Sequence, residues 1–378
     1  MKSSRKYVLI PDSFKETMSS SEVCQILAEQ ILRFEPDARI VSIPVADGGE
    51  GSTDAFLSAI GGEKAFLDVQ GPYGEIVQGF YGRIGKTAIV EIAAAAGLPL
   101  VGENRHAEKT STFGAGQLIA AAIRDGAERV IVGLGGSATN DGGCGAAAAF
   151  GVKFLDSVGK EFVPVGETLR DIVRIDVSEA RFGGAEIITM CDIDNPLCGE
   201  NGAAAVFGPQ KGADADIVKL LDEGLCHLAD IIERDIGKPV RDIPGAGAAG
   251  GLVAGMAAFF GSNLQMGIEV VLDTVGFDGI ISDADLIITG EGRLDSQSLR
   301  GKVVIGVARR AKKQQKPVVA IVGDIVDPID GVYGEGVSCV LSTNRMAVPF
   351  SESKQFAKRN MALTAEQLMR ISAALTQS

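Results

Sequence analysis

Tryptophan is absent from this 378-residue chain, and histidine occurs only at His106 and His227. Two histidines are too few for a histidine-built zinc site, and they offer no Ser-His-Asp or Cys-His arrangement for nucleophilic catalysis. The six cysteines (Cys24, Cys144, Cys191, Cys198, Cys226 and Cys339) are scattered with no CxxC spacing, so neither a zinc ribbon nor a dithiol redox motif is written here. They read as reduced thiols of a cytoplasmic protein. The opening Met1-Lys-Ser-Ser-Arg-Lys6 runs straight into an apolar strand, without the hydrophobic core of a signal peptide. The uncharged run from Pro244 to Ile268 is rich in glycine and alanine rather than leucine, and reads as a closely packed buried helix rather than a membrane span. Positive charge is in deficit. With 36 basic against 49 acidic residues the net charge is −13, which argues against nucleic acid or an anionic membrane as partner.

What is present is glycine. Many of the 49 glycines gather in polar loops that follow apolar strands, and the most informative case is Val130 to Phe150. An apolar run, Val130 to Leu134, breaks into Gly135, Gly136, Ser137, Thr139, Asn140, Asp141, Gly142 and Gly143, and resumes as an alanine-rich helix. A glycine turn between strand and helix collects backbone N–H groups and the positive end of a helix dipole at one point, so a nucleotide phosphate is the expected guest. The stretch is neither a P-loop, since no Gly-Lys-Ser/Thr follows, nor the GxGxxG dinucleotide fingerprint.

The chain ends share one texture and the middle has another. Short strands at Tyr7–Ile10, Arg39–Val45, Asp285–Thr289, Pro317–Val322 and Val337–Leu341 alternate with amphipathic helices, the first opened by a capping box at Ser19-Ser-Ser-Glu22. Such alternation predicts a flavodoxin-like, doubly wound parallel α/β sheet built from residues 1–62 and 273–378. Residues 63–272 then form a large inserted second α/β domain that carries the glycine loop and begins with antiparallel hairpins. With strand order 2-1-3-4-5, ligands sit at the carboxyl ends of the strands, beside Asp12, Ser13 and Lys15 and beside Gly290, Glu291 and Gly292. The active site is therefore expected in the cleft between the two domains.

Carboxylates recur in five loops that contain glycine or serine, around Asp12, Asp47 and Glu50, Asp141, Asp192 and Asp194, and Glu291 and Asp295. Any one alone is an ordinary cap or turn residue. Together, and without histidine, they suit Mg²⁺, which takes oxygen ligands and substrate phosphates. Lys15, Lys211, Arg293, Arg300 and Lys302 are the cations near these loops that a phosphoryl transferase would call on.

These segments resemble one known family, the bacterial type 1 glycerate kinases. The likeness rests on Pro11-Asp-Ser-Phe-Lys15, Ala46-Asp-Gly-Gly-Glu-Gly51, Gly135-Gly-Ser-Ala-Thr-Asn-Asp-Gly-Gly143 and Asp194-Asn-Pro-Leu-Cys-Gly199. It continues through Val206-Phe-Gly-Pro-Gln-Lys-Gly212, Pro244-Gly-Ala-Gly-Ala-Ala-Gly-Gly251 and Thr289-Gly-Glu-Gly-Arg-Leu-Asp-Ser296. Glu16 stands where the family has glycine, so a departure in backbone shape is expected just after Lys15. The resemblance implies ATP-dependent phosphorylation of D-glycerate with Mg²⁺, most simply to 2-phosphoglycerate. Alternatives are transfer to the 3-hydroxyl, a kinase of another small hydroxy acid, and a non-catalytic ligand-binding or regulatory protein. Chemistry assigns candidate roles. Gly135, Gly136, Ser137, Thr139, Asn140, Gly142, Gly143, Gly290 and Gly292 would hold the nucleotide. Asp12, Ser13, Lys15, Asp47 and Arg293 would hold the substrate. Asp192 or Asp295 would serve as base with Lys15 assisting, and Asp47, Asp194 and Glu291 would hold the metal.

Overall fold

In the computed structural model, the structure describes residues 4–45, 49, 51–295 and 298–376. The chain divides into two compact units, 1–47 with 58–60 and 266–378, and 48–57 with 61–265. These bounds differ from 62/63 and 272/273 for local reasons. The buried Glu91 carboxylate accepts from Gly51 N at 3.1 Å and Thr53 N at 2.5 Å, capping the helix Ser52–Ile60 from the second unit. Gly51 opens that helix in a left-handed conformation and supplies no side-chain cap of its own, so a distant carboxylate takes the orphan N–H groups. At the other boundary, the helix Gly267–Thr274 packs on the helix Val303–Lys313, where Gly306 makes room for Ile268.

The first unit is one five-stranded parallel sheet. Arg39–Ser42 pairs with Lys6–Pro11, which pairs with Leu286–Leu294, then Val318–Ile325, then Cys339–Ser342. In chain order this is 2-1-3-4-5, as the alternation of strands and helices predicts. Tyr7, Val8, Leu9 and Ile10 are all fully buried, which suits a central strand covered on both faces. The capping box forms: Ser19 Oγ accepts from Glu22 N at 3.2 Å and the Glu22 carboxylate from Ser19 N at 2.8 Å. Val23, Cys24, Leu27 and Ile31 of the helix it opens join Met361, Ala365 and Met369 in one core.

One expectation fails here. The third strand of the sheet does not stop at Thr289 but runs on to Leu294, with Gly290 opposite Ile321 and Leu294 opposite Ile325. Gly290 and Gly292, expected in a loop, are residues of this strand. A Cβ on Gly290 would stand 2.0 Å from Ile321 O, so glycine is there to let two strand backbones approach.

The second unit has a six-stranded sheet. Glu63–Gln70, Ile76–Ile84 and Thr87–Glu91 run antiparallel, and then Arg129–Gly133, Glu186–Met190 and Asn263–Gln265 continue parallel to Thr87–Glu91. A small antiparallel sheet combines Lys153–Leu155 with Glu161–Phe162 and Arg174–Asp176. The segment expected as one long buried helix is instead Ala248–Phe260, with left-handed residues Ala249, Gly250 and Gly251 in its first turn. Its apolar face lies in the core with Ile119, Val130 and Val132. Among the described residues, no helix is long and apolar enough to cross a membrane.

Gly290→Ala should destabilise the protein by about 1–3 kcal/mol through overpacking of the two strands, read as a lowered urea midpoint. An unchanged midpoint would remove the close-approach explanation.

Candidate functional site

The strand Arg129–Gly133 is buried between two parallel neighbours, and the glycine loop leaves its carboxyl end. Gly136 is the exposed residue of that loop, held by Leu98 N donating to Gly136 O at 2.8 Å. From Ser137 to Gly143 the loop is buried. Asp141 explains why. Its carboxylate is fully buried and accepts from Thr112 N at 2.7 Å, Thr112 Oγ1 at 2.8 Å, Gly143 N at 3.1 Å and Gly145 N at 3.2 Å. Thr112 Oγ1 in turn accepts from Ala146 N at 2.9 Å.

This arrangement bears on two of the residues expected to hold the nucleotide. Gly142 N donates to Gly250 O at 3.1 Å and Gly143 N to Asp141, so neither N–H is free for a phosphate. The anion at the start of the short helix Cys144–Ala148 is Asp141 itself. Burial pushes the Asp141 carboxyl above its usual range, while the four donors hold it down. No signal in the sequence marked Thr112, which lies about thirty residues upstream and contributes through tertiary contact alone.

Several motifs that are separate in the sequence meet at this loop. Lys211, from Gly-Pro-Gln-Lys-Gly212, is 3% exposed and donates through Nζ to Thr139 O at 2.6 Å. The glycine loop therefore has a buried cation against it. The left-handed run Ala249-Gly250-Gly251 (φ 51°, 69° and 83°) packs on the same backbone. A Cβ on Gly250 would stand 1.9 Å from Thr139 O, so the site needs glycine both for its φ and for space. Asn195 O accepts from Gly247 N at 3.1 Å, and the Leu197 side chain lies over Gly251, which brings Asp194-Asn-Pro-Leu-Cys-Gly199 into the same assembly. Asn140, fully buried, has neither amide atom paired among the described residues. Asp192 and Asp194 sit exposed on the segment that leads into Asn195.

The first unit holds a different set. Asp12 and Ser13 are half-buried at the end of the first strand, where Asp12 N donates to Gly290 O at 2.8 Å. Lys15 is exposed, and Glu16 takes a left-handed φ of 64°. The glycine-like backbone is therefore kept, with the steric cost of a side chain there. Glu291, 5% exposed, leaves Oε1 without a partner among the described residues. Burial raises its carboxyl to about 7, with Ser298 and Lys302 opposing and Asp12 and Asp295 adding to the rise. Asp295 and Ser298 bond reciprocally, Asp295 N to Ser298 Oγ at 3.2 Å and Ser298 N to Asp295 Oδ1 at 3.3 Å. Arg293 is exposed, with Nε 3.8 Å from Asp295 Oδ2. Asp47 lies outside the described residues. Among the described residues, no three histidine, cysteine or carboxylate groups are arranged to hold a metal ion.

A sequence profile of the glycerate kinase family matches residues 7–373. The chain belongs to the glycerate kinase family. It is similar to the glycerate kinase of Bacillus subtilis, at 44% identity over 96% of each chain. It is also 46% identical to the glycerate 2-kinase of Escherichia coli, over 89% of this chain and 90% of that one. A crystal structure from Salmonella typhimurium LT2, described as a proposed glycerate kinase 2, superposes with a TM-score of 0.86 at 40% identity, covering 99% of this chain and all of the other. As a member of this family, the protein is an ATP-dependent kinase with an α/β fold in two parts.

Lys211 generates a stability prediction. Burial lowers its ammonium to about 7, opposed only by the field of Asp141. The folded state then binds fewer protons than the unfolded one between pH 7 and the ordinary lysine value of 10.5, so this residue's contribution to stability rises with pH through that window. Lys211→Met should accordingly be most stabilised relative to the parent near neutral pH, with the gap closing toward pH 10 in thermal melts. A gap that stays constant with pH would contradict the buried charge.

Proposed function

We propose that this protein transfers the γ-phosphoryl group of ATP to D-glycerate, forming 2-phosphoglycerate, with Mg²⁺ as the accompanying cation. The observation that carries the reading is the match of a glycerate kinase profile along nearly the whole chain, with a glycerate 2-kinase at 46% identity among its relatives. Six unpaired thiols fit a reducing, cytoplasmic setting for the reaction.

In this reading the nucleotide phosphates lie at the outer part of the glycine loop, near Gly135, Gly136 and Ser137. The N–H groups deeper in the loop are spent on Asp141 and Gly250. Lys15 and Arg293 meet the glycerate carboxylate or the phosphoryl group in transfer, with Asp12 and Ser13 beside them. Asp192 or Asp295 orients the glycerate hydroxyl and takes its proton.

Mg²⁺ is tested on its donors. It seeks oxygen ligands and commonly uses one or two carboxylates plus phosphates. The unpaired, buried Oε1 of Glu291 is one such oxygen donor, and the fields of Asp12 and Asp295 act on its charge. Glu291 would hold the ion, assisted by one of those aspartates. When bound, the cation neutralises charge on the phosphates.

A coupled ADP-release assay should give turnover with D-glycerate, and phosphorus NMR of the product should show the 2-phosphate. Turnover only with glycolate or tartronate, or a 3-phosphate product, would move the assignment to another acceptor or hydroxyl. Gly136→Ala places a side chain at φ 72° on the exposed part of the loop and should raise the KM for ATP by about 10-fold while leaving that for glycerate little changed. Of Asp192→Asn and Asp295→Asn, one should lower kcat by about 10²–10⁴-fold. Near-native kcat in both would exclude each as the base.

A further inference from the structure

Two polar side chains at the inner end of the glycine loop are left with bonding capacity that the fold does not use. Lys211 Nζ carries three N–H donors, and the fold spends one, on Thr139 O at 2.6 Å. Among the described residues no carboxylate forms an ion pair with it, and Asp141, whose field reaches it, has its own four donors. Next along the chain from Thr139 is Asn140, with 0% exposure and with both Oδ1 and Nδ2 unpaired. Buried polar groups are almost always satisfied, and a buried ammonium is costly without a counter-charge. Two such exceptions flanking one peptide are unlike a strut. A lysine kept only to hold the Thr139 carbonyl would not explain why the very next residue carries a buried amide with no partner.

We infer that the Lys211 ammonium and the Asn140 side-chain amide form a subsite for an anionic oxygen of one of the two substrates, a nucleotide phosphate or the acceptor carboxylate. The inference rests on the reading of the glycine loop as part of the substrate-binding machinery, and it adds to that loop a cation which its own sequence lacks. The surroundings are built to hold the pair still. Gly250 packs against Thr139 O and the Asn140 backbone, and Asp141 fixes the next turn through Thr112, Gly143 and Gly145. Preorganised donors of this kind need no rearrangement of their own when the charge arrives. Both groups are shielded from solvent, so a ligand oxygen reaches them only by displacing the chain that covers them. The lowered pKa of Lys211 adds a signature. An anion bound at its side restores the charged form, and Asp141 is the one charged group acting on it beforehand.

The test compares the full-length enzyme with Lys211→Met and Asn140→Leu, both close to the original side chains in size. KM is measured for ATP and for D-glycerate separately, and the melting shift is measured with ADP alone and with D-glycerate alone. Loss of charge-assisted bonds should raise one of the two KM values by about 10–100-fold and abolish the matching melting shift. A rise for ATP identifies phosphate, and a rise for glycerate identifies the carboxylate. Calorimetry of the same ligand in two buffers should show proton uptake by the parent at pH 8 but not at pH 6, and none above background in Lys211→Met. If Lys211→Met does not fold, Asn140→Leu and the proton uptake of the parent still decide. Unchanged KM values and melting shifts in both variants, or ligand binding without proton uptake, would overturn the inference. If Gly136→Ala raises the KM for ATP while these variants do not, the subsite alone falls. If Gly136→Ala is silent as well, the loop reading falls with it.

Discussion

The buried carboxylate of Asp141 is the interaction on which the second unit's chemistry depends. One charged group, fully out of water, is tolerated because four donors surround it. Those donors belong to residues far apart in the chain, so satisfying one carboxylate pins the Thr112 turn, the Gly143 turn and the first turn of the following helix together. The inner part of the glycine loop is buried and hydrogen-bonded for this reason, although its composition would suggest freedom. The N–H groups of Gly142 and Gly143 are consumed inside the fold and are not left to meet a ligand.

Close backbone approach is the second constraint. Gly290 lies against Ile321 O and Gly250 against Thr139 O, at distances no side chain allows. In the first unit this keeps the third strand paired to its end, which sets Glu291 in the sheet rather than in a loop. A carboxylate held in a strand is less hydrated than one on a mobile turn, and its raised pKa follows from that burial. In the second unit the same device lets Pro244-Gly-Ala-Gly-Ala-Ala-Gly-Gly251 press onto the glycine loop, so that two glycine-rich stretches about a hundred residues apart in the chain pack together in the interior. The αL residue Glu16 shows the converse case. A backbone shape can persist without glycine where the turn from Phe14 to Met18, closed by two hydrogen bonds between them, holds it.

The sequence by itself determined the strand and helix periodicity, the 2-1-3-4-5 sheet, the capping box at Ser19 and Glu22, and the family. These are readable because apolar alternation, cap residues and multi-residue motifs act over a few neighbouring positions. It also marked the loop at 135–143 and the acidic positions at the strand ends. Tertiary structure alone decided what each of them does. Asp141 differs from the exposed Asp192 in being buried among donors from Thr112, Gly143 and Gly145, which makes it an internal anchor. Gly290 and Gly142 carry the same residue type as Gly136, yet packing against Ile321 O and Leu228 buries two of them and leaves the third exposed. Lys211 reads in sequence as one of five cations near the glycine loops, and only the fold shows that it is removed from water. Burial and hydrogen-bond partners are properties of the assembled chain, so they separate structural from functional copies of one residue type where local pattern cannot.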